Sequence, residues 1–173
     1  MRRWGTRALA SLLITLLFLV SGCSASPEDP DEGEMTGVVV AGNDSGILPL
    51  SGGVVKAYDR LAVLTTDDWT RLLTETWPEA STDPTGWEAA NQGFRIPLGS
   101  FVEGDDPSAG PVLVEMEEGR WRMPWGGGPA MLCVGREAAD ELSLMGCRRL
   151  EKQAPVAVTL TVHIGGLSID VES

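Results

Sequence analysis

The sequence predicts an all-β fold, an antiparallel β-sandwich with one short helix, and three observations predict it. Apolar residues recur at every second position in short runs, the period of a strand with one face buried. The 21 glycines and 11 prolines among 173 residues punctuate those runs as turns. Helical spacing is met once, between Asp67 and Pro78. Many short strands separated by turns, with little helix, pack as two sheets face to face.

The elements follow in chain order. Residues 1–22 are not part of the fold. Arg2, Arg3 and Arg7 precede an apolar run from Ala8 to Val20, and small residues follow it. A basic flank, a short apolar core and small residues before a cut make an export signal. The apolar run is shorter than the ~20 residues that span a bilayer. Residues 23–34 combine prolines, acids and small side chains with nothing to bury, which predicts a solvated tether. The folded domain is then expected over residues 35–173.

Thr36 to Ala41 is β-branched and short, and reads as the first strand, ended by the Asn43-Asp44-Ser45-Gly46 turn. Val54 to Tyr58 reads as a second strand and Leu61 to Thr66 as a third. Trp69, Leu73 and Trp77 recur every four residues, so a short helix is expected there, capped by Asp67 or Asp68 and stopped by Pro78. The five threonines from Thr65 to Thr76 nevertheless fit a strand equally well. A loop to about Asn91 comes next. Phe94, Ile96 and Leu98 share one face of a strand that Pro97 confines to a sheet edge. Residues 103–110 form an acidic turn, and Val112, Val114 and Met116 then face one way. Arg120 to Met123, Ala130 to Val134 and Leu144 to Leu150 complete the middle of the domain.

The last segment has the clearest pattern. Val156, Val158, Leu160, Val162 and Ile164 alternate with small or polar residues, and Leu167, Ile169 and Val171 do the same beyond Gly165-Gly166. A two-residue turn at the glycines pairs Ile164 with Leu167, Val162 with Ile169 and Leu160 with Val171. His163 then faces Ser168, and Thr161 faces Asp170.

At the end of the signal, Val20-Ser21-Gly22-Cys23 resembles the lipobox of bacterial lipoproteins. In that family the cysteine thiol takes a diacylglycerol, the chain is cut just before it, and the new amine is commonly acylated, often with palmitate. The resemblance implies lipidation at Cys23 and a protein held on the extracytoplasmic face of the cell membrane. Its partner there is the bilayer, joined by an envelope protein or glycan of unknown identity. Several acyl chains are needed for a lasting anchor, since one gives only marginal binding. Cleavage before Cys23 removes three arginines and no acids, taking the formal charge from −12 to −15 over 151 residues. A chain this acidic repels nucleic acid.

With Cys23 modified, Cys133 and Cys147 remain as an even pair in an oxidising compartment, and a disulfide is expected. Their midpoint is Asp140, so a hairpin closing there sets them opposite each other.

A second resemblance concerns the domain itself. Thr36-Gly37-Val38-Val39-Val40, then Pro49-Leu50-Ser51-Gly52-Gly53-Val54-Val55-Lys56-Ala57, looks like the opening of transthyretin-like, carboxypeptidase-regulatory-like domains. Gly93-Phe94-Arg95-Ile96-Pro97-Leu98 is similar to a later strand of theirs. The long segment between Lys56 and Gly93 departs from their compact pattern. The resemblance implies a β-sandwich accessory or adhesion module without catalysis.

No catalytic residue, cofactor or metal site is expected. His163 is the sole histidine, which leaves no room for a triad or a histidine-rich metal centre. Asn43-Asp44-Ser45-Gly46 and Asp105-Asp106 offer oxygen ligands but lack the EF-hand pattern, and are read as turns. The carboxylates Glu115, Glu117, Glu118, Asp140 and Glu141 would make a hydrolase only if two were held across a cleft. Trp125 sits in a glycine-proline loop, and Trp121 and Trp125 are the candidate ligand-binding residues if an exposed indole stacks on a sugar ring. Capping the open end of the sandwich core is the commoner fate of so large a side chain. Expected function is therefore a non-catalytic binding or structural module, with a glycan binder as the alternative and a carboxylate-based hydrolase third.

Overall fold

The computed structural model describes residues 25–43, 52–76, 95–152, 155–164 and 166–172. Cys23, the Asp44-Ser45-Gly46 turn, Trp77, Trp87 and Phe94 lie outside these residues. What is described is mostly strand, in two sheets with one helix. Strands β1 (Glu34–Ala41), β5 (Arg120–Pro124), β8 (Val156–His163) and β9 (Gly166–Glu172) form the first sheet, in the order β5-β1-β8-β9. The second has the order β3-β7-β6-β2-β4, from β2 (Arg60–Thr65), β3 (Arg95–Pro97), β4 (Val112–Glu115), β6 (Ala130–Ala138) and β7 (Glu141–Leu150). Strand pairing is antiparallel except between β1 and β8, which run parallel with Ala41 beside Val162.

The main core fills the space between the sheets. Met35, Val39 and Ala41 from β1 meet Leu61 and Val63 from β2, Leu132 and Val134 from β6, and Val158, Leu160 and Val162 from β8. Each set is every second residue of its strand, as the pleat requires. A second cluster lies on the other face of the second sheet, where Ala62, Leu64, Met131, Cys133 and Leu142 pack under Trp69, Leu72 and Leu73. Those three belong to α1 (Thr66–Thr76). The expected helix is therefore present, but its cap is two or three residues earlier than expected. Thr65 Oγ1 accepts from the Asp68 N–H at 3.1 Å and donates to the Asp68 carboxylate at 2.8 Å. Asp68 is thus the reciprocal partner of the cap rather than the cap itself.

Three expectations are corrected by the pairing. Val54 to Tyr58 is not a full strand: only Val54 bridges to Val40. The edge of β1 is already taken by β5 from Glu34 to Val38, so the segment finds room only beside Val39 to Ala41. The C-terminal hairpin turns one residue earlier than expected, which slips its pairing by two. His163 pairs with Gly166, Val162 with Leu167 and Leu160 with Ile169, which leaves Ile164 in the turn and 76% exposed. A slip of two keeps every side chain on its face, so alternation alone does not choose between the registers.

The third correction concerns how the cysteines meet. Cys133 and Cys147 are opposite each other, as expected, but the hairpin turns at Ala139-Asp140, with Ala138 paired to Glu141. That register would offset the cysteines by one. A bulge restores it, since Val134 pairs with Gly146 while Gly135 pairs with Leu144, leaving Met145 unpaired. The same bulge moves Cys147 onto the face of Leu142 and Leu144, under the helix. Pro97 sits in an edge strand, as its missing N–H demands.

Candidate functional site

The face of the first sheet turned away from the core has a cover of its own. Residues 25–33, expected to be a solvated tether, lie along it. The Ala25 N–H donates to Gly52 O at 3.2 Å, and Gly52 in turn donates to Ala41 O at 2.7 Å. Arg120 Nη1 donates to Ser26 O at 2.8 Å. The Thr36 hydroxyl donates to Glu28 O, and Thr36 is buried. Arg122 gathers three carboxylates, from Glu34 at 3.0 Å, Glu28 at 3.3 Å and Asp31 at 3.5 Å. The strap turns at Gly33, whose φ of 79° suits a residue without a Cβ, and enters β1. Beneath it Val38 and Val40 are buried on the outer side of β1.

β5 supplies both faces of this arrangement. Arg120 and Arg122 point outward to the strap, and the alternate residues Trp121 and Met123 point into the core. Trp121 lies flat over Gly37, its register partner in β1. A Cβ on Gly37 would fall 1.9 Å from the indole ring, so only glycine accommodates it. Trp125 is buried in the same core and its N–H donates to Gly33 O at 2.7 Å through the backbone. Both indoles are 5% exposed, and both indole nitrogens are buried without a protein partner. Of the two readings, closure of the sandwich core holds for both tryptophans, and the alternative that Trp121 and Trp125 present rings for ligand stacking is corrected. A side chain of this size on a strand whose neighbour is glycine gains more by filling the core than by facing water.

Two hollows flank the strap. One, of about 410 Å³, is lined by Glu28, Glu115, Glu117, Glu118, Arg120 and Trp121 among others. Three of its carboxylates are ion-paired, Glu28 with Arg122, Glu115 with Arg60 and Glu118 with Lys56. Glu118 meets Lys56 at 2.8 Å, and that hydrogen bond and charge hold its carboxyl below the usual range. Glu115 reaches Arg60 at 3.5 Å with its side chain 81% exposed. The other hollow, of about 400 Å³, lies between Ala25 and Ser26 on one side and Thr159, Thr161, His163 and Asp170 on the other. His163 Nε2 is 3.0 Å from Ser168 Oγ, a diagonal contact in the observed register. Its ring lies against Gly42.

The remaining sequence candidates are dispersed. Asp106 accepts from the Ser108 N–H and hydroxyl at 2.9 and 2.7 Å, which lowers its pKa and makes it the organiser of a turn. Asp140 is in the β6–β7 turn, and Glu141 pairs with Arg95 at 3.2 Å. Among the described residues no three His, Cys, Asp or Glu side chains are grouped to hold a metal ion. No described helix is long and apolar enough to cross a membrane. The strap contacts were missed because four of them are to main-chain carbonyls, which every sequence possesses. The available signal was two arginines on the outward face of β5 in so acidic a chain.

Compared with known protein families, with curated proteins and with solved structures, the chain matches none. The likeness to transthyretin-like domains accordingly rests on the residues that carry it, and the valine-rich second strand it implies is reduced to the Val40–Val54 bridge.

Proposed function

We propose that this chain is a membrane-anchored lipoprotein of the cell envelope whose β-sandwich is a non-catalytic binding or structural module. The observation that carries the reading is the ordered N-terminal pattern of Arg2-Arg3, the apolar run to Val20, and Ser21-Gly22-Cys23. The Cys133–Cys147 disulfide agrees with it, because such bonds persist outside the reducing cytoplasm. The solvated, ion-paired acids of the strap hollow and the inward-facing tryptophans support a surface that contacts a partner broadly rather than a pocket that performs a reaction.

The anchor is tested on the protein made in a bacterial host. Intact mass and detergent-phase partitioning are compared between the native chain and Cys23→Ala. The native protein should begin at residue 23, carry acyl mass and enter the detergent phase, and the variant should remain full-length and aqueous. Identical partitioning of the two would remove the basis of the reading.

A further inference from the structure

The strap changes what a lipid on Cys23 would do to the domain, and this inference rests on that proposed anchor. A slack tether lets a domain tumble above a bilayer. Here the chain is already bound at Ala25, which is two residues after Cys23 and can stand only about 7 Å from it at full extension. Ala25 is fastened through Gly52 to Ala41, the last residue of β1. Because β1 and β8 run parallel, with Ala41 beside Val162, the β8–β9 turn projects from the same end of the sheet. Its tip is Ile164, the one large apolar side chain that is exposed among the described residues.

The charge distribution matches that geometry. In a sequence with 25 acidic residues, positions 41–43, 162–164 and 166–168 at this end of the first sheet include no Asp, Glu, Lys or Arg. The other end of β1, where the strap turns, carries Asp29, Asp31, Glu32 and Glu34. Asp170 lies further back, opposite Thr159, and Arg122 offsets part of the charge at the strap turn. The contrast is therefore between a less acidic end beside the anchor and a more acidic end remote from it, which orients the sheet relative to an anionic surface.

We infer that the Ile164 end of the first sheet rests on the bilayer that holds the acyl chains, with Ile164 entering the boundary between headgroups and hydrocarbon. One apolar side chain would not bind a free protein to a membrane. Joined to an acylated residue by so short a link, it meets the surface at a high effective concentration and needs little affinity of its own. The docked module then presents the strap turn and the Arg122 cluster to the space beyond the membrane.

The test uses the full lipoprotein in vesicles of phosphatidylethanolamine and phosphatidylglycerol. Ile164→Cys or Glu32→Cys carries an environment-sensitive fluorophore, and a fraction of the lipid carries a spin-label quencher. Both positions are exposed, and near-ultraviolet circular dichroism verifies that each variant keeps its tertiary packing. Emission from position 164 should be blue-shifted and quenched several-fold more than emission from position 32. Equal quenching at the two positions, with the protein still floating with the vesicles, overturns the docking and leaves the anchor standing. If the native chain made in the bacterial host keeps an unmodified Cys23 and does not float, the anchor and the docking are overturned together.

Discussion

Both sheets have an outer face to cover, and the molecule covers them by opposite means. Over the second sheet lies α1, which contributes Trp69, Leu72 and Leu73 to a cluster that shuts both disulfide cysteines away from solvent. Over the first lies the strap of residues 25–33, which contributes no large apolar side chain. It is held by Arg120, Thr36 and the Arg122 carboxylate cluster. Apolar burial scales with area and is not screened by salt, whereas exposed ion pairs contribute little each and are screened. The helix is therefore part of the cooperative core, and the strap is a cover that opens at small cost.

Removal of the helix anchor is the most severe way to break the contrast. Trp69→Ala takes a nearly buried indole from the second cluster and should destabilise the domain by about 3–5 kcal/mol in equilibrium denaturation. A loss below about 1 kcal/mol would mean that the helix is an appendage. Next in size is the double variant Cys133→Ala/Cys147→Ala. Closing a segment with a sequence separation of 14 should contribute about 3 kcal/mol, read as a drop in denaturation midpoint. Because both cysteines lie under α1, a mild reductant should leave the native bond intact until the helix side unfolds. Rapid reduction of the folded protein would contradict that placement.

The smallest expected effect on stability belongs to the strap. Arg122→Ala removes three pairs with exposed or half-exposed partners, and global stability should change by no more than about 1 kcal/mol. Amide hydrogen exchange in residues 25–33 should nevertheless accelerate, and exchange in α1 should not. Salt at about 1 M, where screening extends only ~3 Å, should reproduce that selectivity in the unmodified protein. Strap exchange insensitive to both changes would show that Thr36 and the backbone contacts hold it alone.

Much of this architecture is written in local patterns. Period-two alternation placed Val156, Val158, Leu160 and Val162 on one face, and the structure has them in the main core. The single stretch with helical spacing became α1, and Pro97 lies on an edge. These readings succeed because the face of a residue depends only on its neighbours along the chain. Register does not. The C-terminal hairpin closes at His163 and Gly166 because parallel pairing with β1 stops at Val162, a constraint from a strand more than a hundred residues earlier. The opposed cysteines likewise depend on a bulge at Met145 that no spacing announced.

Composition left two places undecided, for a shared reason. Residues 25–33 have the makeup of a solvated tether, and Trp125 has the setting of an exposed loop aromatic. Each is placed by what lies across from it: Arg120 and Arg122 for the strap, the main core for the indoles. By itself the chain determined most of its strands, its one helix and the pairing partners of its cysteines, since each is a matter of side-chain order or parity. Only the folded arrangement decided which turns close, which tryptophans are hidden and where residues 25–33 lie. Those outcomes depend on contacts between distant segments, whose energies no local pattern encodes.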